Sequence, residues 1–265
     1  MDISIIIPVA NDLRLRDCLQ SIDEDVEVIV SMNGPTPDIK RIVKESGRDS
    51  CELAERNLGA ALDEGIHAAS NERVLLIDSD CTFNPGTIRM LYEGLEGYKL
   101  AKGRVLFQTK GYPSHVIARA REYTTSDRIT AYKPPLAMRR SIKSDIGGYL
   151  YDRDIHWVED AEFDRRVQIN DIPINYIVEA TINHPPLTPC TDLRSAWRYG
   201  VGKRIGVEKN LMKGLGAFYD KEIDIASKKG LDVAAYMLAW NSAYTLGWVS
   251  QALFDVYSVR KKFRN

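Results

Sequence analysis

The stretch VLLIDSD, residues 74–80, decides the fold class. Apolar residues fill its first half and two aspartates close it, so it predicts a buried strand followed by Asp78 and Asp80. Such apolar strands are typical of parallel sheets, whose two faces are both covered by helices. Ligands of these sheets lie beyond the carboxyl ends of the strands. We therefore expect the two carboxylates to lie at a ligand site rather than on a solvated loop.

The surrounding chain has the strand–helix alternation that a parallel sheet requires. Further apolar strands are predicted at residues 3–9, 26–34, 100–108 and 174–184, with helices at 13–22, 39–45, 57–70, 87–95 and 158–170. Residues 114–132 have helical spacing, residues 134–152 are broken and polar, and helices are predicted from Thr191 onward. The fold class expected is α/β, with a mainly parallel mixed sheet flanked by helices and a helical C-terminal extension.

Composition limits the class of protein. The 265 residues are 44% hydrophobic, 28% are charged, and the net charge is −1, which excludes a disordered chain and a general nucleic-acid-binding protein. From Thr191 to the end there are 13 Lys/Arg against 7 Asp/Glu. This basic tail predicts contact with phosphate or a lipid surface, unless it only reflects unevenly solvated faces.

Cysteine usage and the N-terminus indicate the compartment. The four cysteines are scattered without a CxxC pair, which predicts reduced thiols. The N-terminus enters a strand directly and has no basic region or cleavage site of a signal peptide. We expect a cytoplasmic protein, with peripheral attachment to the inner face of a membrane left open.

Residues 233–254 contain no charged side chain. Their length allows a membrane span, but five polar residues argue against one, namely Asn241, Ser242, Thr245, Ser250 and Gln251. Tyr236, Trp240, Tyr244 and Trp248 are of the types that favour a membrane interface. Basic residues flank the segment on both sides, including the final RKKFRN. Three alternatives stay open: a helix packed on its own domain or in a homodimer, a helix on a membrane surface, and a span.

Asp78 and Asp80 predict a metal site. Alternate residues of a strand point to the same side, so both carboxylates are expected to face one spot and to need a cation between them. Oxygen ligands suit Mg²⁺ or Mn²⁺. A metal held by only one or two carboxylates completes its shell with water and substrate phosphate, which predicts a diphosphate-bearing substrate.

Seven motifs in order and spacing resemble the GT-A family 2 glycosyltransferases, over about residues 3–184. They are SIIIPVAND, VEVIVSMNGPTPD, NLGAALDEGI, VLLIDSD, IGGYLYD, VEDAEFDRR and INH. The resemblance implies a GT-A, Rossmann-like fold and an inverting enzyme that uses a nucleotide-diphosphate sugar. It also implies a catalytic domain at 1–190, with a nucleotide-binding half at 1–105 and an acceptor-binding half at 106–190, and an extension at 191–265.

The resemblance assigns roles to individual positions. Asp160 is implied as the catalytic base, and Asp78, Asp80 and His184 as ligands of Mn²⁺ or Mg²⁺. The nucleotide-sugar site is implied to comprise Pro8, Val9, Ala10, Asn11, Asp12, Asn33, Asn57, Gly59, Asp78, Ser79, Asp80, Arg104, Glu159, Arg165 and Arg166. For Arg165 and Arg166 either support of the site or contact with a phosphate is implied. The partners implied are the sugar donor and a saccharide, lipid-linked or other hydroxyl acceptor.

The sequence also departs from the family pattern. An acid usual after the second strand is replaced by Met32, so uridine recognition is not implied, and Asn33 or Ser31 remains to contact a base. No Gln-x-x-Arg-Trp signature of processive members is present, which favours addition of a single sugar. Two alternatives to sugar transfer stay open: a nucleotidyltransferase that makes a nucleotide sugar, and a non-catalytic scaffold with this fold.

Overall fold

The structure, a computed structural model, describes residues 1–127, 129–215 and 219–262, without the side chains of 219–222 and 256–262. The end of the predicted basic tail, Phe263 to Asn265, lies outside the described residues. The chain divides into two compact units, Met1–Phe107 with Thr125–Pro185, and Gln108–Thr124 with Pro186–Asn265. Residues 108–124 and 186–190, which the sequence assigned to a catalytic domain, thus group with the C-terminal helices.

The first unit contains an eight-stranded mixed sheet of order β3-β2-β1-β4-β7-β6-β8-β5. Its strands are β1 (Ile3–Val9), β2 (Glu27–Asn33), β3 (Asp49–Leu53), β4 (Arg73–Leu76), β5 (Thr82–Phe83), β6 (Leu100–Phe107), β7 (Leu136–Arg139) and β8 (Ile174–His184). Strands β1 to β4 pair in parallel, as do β6 and β8, whereas β7 is antiparallel to β4 and β6, and β5 is antiparallel to β8. The predicted α/β fold class is confirmed.

Helices cover both faces of this sheet. They are α1 (Leu15–Gln20), α2 (Pro37–Ser46), α3 (Leu58–Ala68), α4 (Thr87–Glu93) and α6 (Glu159–Ile169), with a short 3₁₀ helix at Arg140–Ser144. Strand β1 shows why the sheet is buried on both sides. Ile5 and Ile7 pack in a core cluster with α1, α2 and α4, while Ile6 packs in a second cluster with α3 and α6. A continuous apolar strand therefore feeds two separate cores.

The second unit is helical. It contains α5 (Tyr112–Thr125) up to Thr124, α7 (Pro189–Glu208), α8 (Tyr219–Lys229) and α9 (Leu231–Lys262). Helices α7 and α9 touch at glycines: a Cβ on Gly200 would lie 1.8 Å from the Tyr244 carbonyl oxygen, and one on Gly247 would lie 1.9 Å from that of Trp197. Only glycine permits such close approach of two helix backbones.

Polar contacts also hold the helical unit together. The buried Asp192 carboxylate accepts hydrogen bonds from Arg121 at 2.8 Å and from the Tyr236 hydroxyl at 2.5 Å. Burial, and then the hydrogen bond of Tyr236 to Asp192, raise the pKa of Tyr236 far above its usual range, whereas Arg121 lowers it. Within the described residues no helix combines the length and hydropathy needed to cross a membrane, so the span that the sequence left open is not found.

Candidate active site

Parallel pairing brings three strand ends together in the first unit. β1 lies between β2 and β4, and it is parallel to both, so the carboxyl ends of the three strands share one edge of the sheet. Pro8 and Val9 end β1, Asn33 ends β2, and Asp78 follows the last residue of β4 by two positions. The sequence placed its main candidate residues at this edge, and the structure locates them there.

Asp78 and Asp80 do not share a partner. β4 ends at Leu76, and the Cys81 N–H then donates a hydrogen bond to the Asp78 carbonyl at 3.0 Å, so the two aspartates lie in a turn. The alternation of a strand does not apply in a turn. Each carboxylate has a cationic partner of its own, Lys133 for Asp78 and Arg14 for Asp80, and the metal shared by both stays a prediction.

Asp78 belongs to a group that we name the inner cluster: Asp78, Lys133, Glu159 and Asp160, of which Lys133 and Glu159 are buried and the two aspartates are partly exposed. The Lys133 ammonium donates to Asp78 Oδ1 at 2.9 Å and lies 3.9 Å from Glu159 Oε1. Burial alone lowers the pKa of Lys133, but the carboxylates of Asp160, Asp78 and Glu159 outweigh it and raise that pKa well above its usual value. Lys133 is therefore a permanent cation among three acids.

Asp160 lies in the first turn of α6 and is the most perturbed acid of the inner cluster. The net pKa of Asp160 is raised to about 8. Burial raises it most, Lys133 lowers it, and the neighbouring Glu159 carboxylate also raises it. Its Oδ1 and Glu159 Oε2 are buried without a hydrogen-bond partner among the described residues. A carboxylate with a near-neutral pKa and an unused oxygen is suited to accept a proton.

A second buried lysine supports the inner cluster. Lys102, inside β6, donates to the carbonyl of Pro134 at 2.9 Å and to that of Tyr132, on both sides of Lys133. Burial lowers its pKa to about 8, against the opposing effect of Asp160 and Asp78. Sequence reasoning missed both lysines. A charged residue within the apolar strand LAKGRVLF is the signal that could have identified Lys102.

Asp80 belongs to a more exposed group that we name the outer cluster: Asp12, Arg14, Asp80, Cys81 and His184. Arg14 Nε donates to Asp12 Oδ1 at 2.8 Å, and Arg14 Nη2 lies 3.4 Å from Asp80 Oδ2. His184 Nε2 lies 3.6 Å from the same Asp80 oxygen. Burial raises the pKa of Asp80, whereas His184 and Arg14 lower it.

The outer cluster fits a divalent cation. Ligand atoms of Asp80, Cys81 and His184 all lie within 4.8 Å of one another. His184 Nδ1 lies 2.7 Å from the Pro185 carbonyl oxygen and can only donate to it, which leaves the lone pair on Nε2 beside Asp80. Burial raises the pKa of Cys81 well above its usual value, so its thiol is a poor ligand. Asp80 and His184 are thus the residues that could hold the metal, and Asp78 stands outside this group.

Arg166 supports the site from behind rather than facing it. Its five N–H donors go to both oxygens of Glu162 and to the carbonyls of Ile146, Tyr149 and Leu150, at 2.6 to 3.0 Å. No donor is left for a phosphate. Of the two roles implied for this position, support is the one compatible with the geometry, and it fixes the loop that contains Gly147 and Gly148. Arg165 precedes it in α6.

Asn33, Asn57 and Gly59 build the floor of the site. Asn33 Oδ1 accepts the Asn57 N–H at 2.5 Å, and Asn57 Oδ1 caps α3 by accepting the Ala60 N–H at 3.0 Å. A Cβ on Gly59 would lie 2.6 Å from the Asp152 carbonyl oxygen, so glycine is needed at this contact. These three residues orient the start of α3 towards the strand ends.

The two residues before Asn33, Ser31 and Met32, have buried side chains. The buried Ser31 hydroxyl donates to the Ala61 carbonyl at 2.5 Å, and Met32 packs in the core cluster around β1. The Ser31 donor is therefore not available to a base.

The remaining predicted positions are spread around the edge. Ala10 is tied to the β2–α2 loop, since its carbonyl accepts the Thr36 N–H at 3.1 Å, Asn11 is exposed, and Ser79 is buried. Arg104 lies in β6 opposite Thr181 of β8. No hydrogen bond or ion pair of the described residues joins Arg104 to either cluster.

Structural comparison identifies the fold. A mannosyltransferase from Pyrobaculum calidifontis, in complex with GDP-Man and Mn²⁺, matches with a TM-score of 0.62 and 14% identity, over 97% of this chain and 87% of that one. TarS of S. aureus in complex with UDP-GlcNAc matches with a TM-score of 0.56 and 16% identity, over 92% and 79%. The glucosyl-3-phosphoglycerate synthase of Mycobacterium tuberculosis, with Mn²⁺, UDP-glucose and phosphoglyceric acid, matches with a TM-score of 0.54 and 18% identity, over 75% and 77%. The fold is that of the GT-A glycosyltransferases.

The sequence identifies the family within that class. The family model described as glycosyl transferase family 2 matches residues 4–145, more than half of the chain. The protein therefore belongs to glycosyltransferase family 2, as the resemblance of its motifs predicted. No curated protein matches the sequence.

Proposed function

We propose that the protein transfers a single sugar from a nucleotide-diphosphate sugar to an acceptor hydroxyl, with inversion at the anomeric carbon and with the help of a divalent metal. The observation that carries this proposal is the state of Asp160, a partly buried carboxylate with a pKa of about 8 and a buried, unpartnered Oδ1 at the edge of the nucleotide-binding strands. Membership of family 2 supports sugar transfer over nucleotidyl transfer.

Asp160 acts as the general base. It takes the proton of the acceptor hydroxyl while the oxygen attacks the anomeric carbon from the face opposite the diphosphate. The bond between that carbon and the diphosphate oxygen breaks, and its electrons leave with the diphosphate. Because Lys133 lowers the pKa of Asp160, it keeps part of the carboxylate ionised before the acceptor arrives.

The two clusters divide the work between proton and diphosphate. Asp80 and His184 would hold Mn²⁺ or Mg²⁺, which supplies charge neutralisation for the leaving diphosphate. Asp12 and Arg14 keep the first loop folded over the end of β1. Asn57 and Gly59 orient the start of α3 for the nucleotide. The structural neighbours named above were solved with GDP-Man, UDP-GlcNAc or UDP-glucose, which supports a nucleotide sugar as donor.

A nucleotide panel tests the proposal. Thermal shift is measured with GDP, UDP and dTDP, each with and without Mn²⁺, followed by transfer or hydrolysis assays with the matching sugar donors. We expect one nucleotide to stabilise the protein, and to do so more strongly with the metal. If none of them shifts the melting temperature, the protein does not use such a donor.

A non-catalytic scaffold is the second candidate, and one observation favours it. Each acidic cluster already contains a cation of the chain itself, Lys133 in the inner cluster and Arg14 in the outer one. A scaffold predicts that nucleotide binding, if present, is never followed by release of a nucleoside diphosphate from any sugar donor. Turnover that disappears in Asp160→Asn would exclude it.

A further inference from the structure

One face of α9 carries an uncharged stripe exposed to solvent. We name it the open stripe: Leu231, Ala235, Leu238, Ser242, Leu246, Val249 and Leu253. Successive members are three or four residues apart, which places all of them on one side of the helix. The exposed fraction of its large side chains runs from 42% at Val249 to 80% at Leu231, and that of Phe254, next to its end, is 64%.

The opposite face of α9 is already covered. Val233, Met237, Asn241 and Gly247 are buried, and α9 packs on α7 and α8 within the helical unit. A helix that is apolar on all sides is normally enclosed on all sides. α9 is enclosed on one side only, so the open stripe lacks a cover among the described residues.

The open stripe is as large as the largest apolar patch of an ordinary soluble monomer. Its five large side chains expose on the order of 500 Å², whereas such a largest patch covers about 300–600 Å² and is often a site of contact.

The charge distribution distinguishes between a protein partner and a membrane as the cover of the open stripe. The helical unit contains 16 Lys/Arg against 8 Asp/Glu, whereas the sheet-containing unit has 20 against 29. Lys228 and Lys229 come directly before the stripe in sequence, where Lys228 pairs with Asp224 at 2.9 Å and Lys229 lies 3.9 Å from Glu122. After Asp255 the sequence has no acid, and it has four cations, Arg260, Lys261, Lys262 and Arg264.

These cations disfavour a second copy of the chain as the cover of the open stripe. Two α9 helices paired in parallel bring Lys228 and Lys229 beside the same residues of the partner. Two helices paired antiparallel bring them towards the partner's Asp255 and the basic sequence after it, in which four cations outnumber that one acid. Both arrangements place like charges together, which is destabilising.

An anionic lipid surface satisfies both features of α9. The apolar stripe enters the boundary between headgroups and acyl chains, while the cations at its two ends meet anionic headgroups. We propose that α9 lies flat on an anionic membrane surface through the open stripe. This inference is independent of the proposed sugar transfer, since it concerns binding alone.

Vesicle flotation of the full chain tests the inference without any donor or activity. We expect the protein to float with phosphatidylcholine vesicles that contain phosphatidylglycerol, and at least tenfold less of it to float with pure phosphatidylcholine or in high salt. The double variant Leu246→Glu/Leu253→Glu should lose at least nine tenths of this binding. Ile169→Glu, an equally exposed apolar position at the end of α6, is the matched control and should bind like the wild type.

Two results would overturn the inference. One is wild-type protein that stays unbound with anionic vesicles. The other is a stable dimer in solution that the double variant dissociates, because the stripe would then belong to a second copy. Leu246→Gln/Leu253→Gln, with folding checked by circular dichroism, repeats the test with uncharged side chains in case the glutamates disturb the helix.

Discussion

The inner and outer clusters lie at one edge of one sheet, yet they treat their carboxylates differently. In the inner cluster a buried lysine lies among three acids, and burial raises the pKa of Asp160 to about 8. In the outer cluster an exposed arginine and a histidine stand beside Asp80, and the distances of 3.4 and 3.6 Å are loose. The first arrangement is fixed, and the second can be rearranged at little cost.

This difference suggests a division of labour. A proton acceptor must have a pKa near the working pH, which burial provides. A metal site must exchange its resident cation for a metal, which requires partners that are weakly held. An exposed ion pair such as that of Arg14 contributes little to the free energy of folding, so its loss on metal binding destabilises the protein only slightly.

The largest effect is expected from Asp160→Asn. The variant keeps the shape of the side chain but cannot take a proton, so kcat should fall by on the order of 10²–10⁴. Donor affinity, measured by titration of the nucleotide that the thermal-shift panel identifies, should change less than about threefold. A variant with wild-type kcat would remove Asp160 from the role of base.

Asp80→Ala should lose metal-dependent nucleotide binding, which Asp160→Asn should keep. It removes a ligand of the metal, so the Mn²⁺-dependent part of nucleotide binding should disappear and turnover should fall by on the order of a hundredfold. Asp63→Ala, an acid near Arg153 and outside both clusters, is the control. If nucleotide binding by Asp80→Ala still depends on Mn²⁺, Asp80 is not a ligand of the metal.

The sequence predicted the strands with long apolar runs and missed those that are short or polar. β1, β2, β4, β6 and β8 were recognised by their apolar runs. β3 is an edge strand without a buried residue, and β7 is a four-residue strand behind two prolines. Neither has the periodicity that identifies a strand.

The sequence likewise predicted only part of the site. Asp78, Asp80 and Asp160 could be identified from motifs, whereas their partners Lys133 and Arg14 could not. Ion pairs depend on which loops meet in three dimensions, and no local pattern encodes that. The different fates of Asp78 and Asp80 also depend on where β4 ends, and strand ends are the least predictable feature of a sequence.

Lys133→Met should destabilise the protein strongly. Removing one partner of a buried ion pair leaves its acids without compensation, which costs roughly 3–5 kcal/mol. The loss should be smaller at pH 5 than at pH 8, because Asp160, whose pKa is raised to about 8, is then protonated and needs no cation. Urea unfolding at the two pH values measures this.

Lys99→Met is the matched control for Lys133→Met. It removes the partly exposed ion pair of Lys99 with Asp145 and should cost less than about 1 kcal/mol. Equal losses in the two variants would show that the inner cluster does not depend on its lysine.

The pH profile should separate catalysis from stability. Asp160 must be ionised to act, so turnover should rise with pH through about 8. The folded-state pKa of Asp160 lies above the unfolded value, so the folded protein binds more protons between roughly pH 4 and 8, and stability falls as pH rises through that window. Asp160→Asn should therefore melt higher than the wild type at pH 9 and differ less at pH 5. A pH-independent difference in melting temperature would contradict the raised pKa.

The smallest effect is expected from Arg14→Gln. The side chain is half exposed, so the loss of its pairs with Asp12 and Asp80 should change the free energy of unfolding by less than about 1 kcal/mol. Because the variant removes a cation that competes for Asp80, Mn²⁺ should stabilise it at a lower concentration than the wild type. Arg16→Gln breaks an equally exposed pair with Glu45 away from the cluster, and its Mn²⁺ titration should match the wild type. If Arg14→Gln instead weakens the response to Mn²⁺, Arg14 positions Asp80 for the metal rather than competing with it, and the outer cluster is as fixed as the inner one.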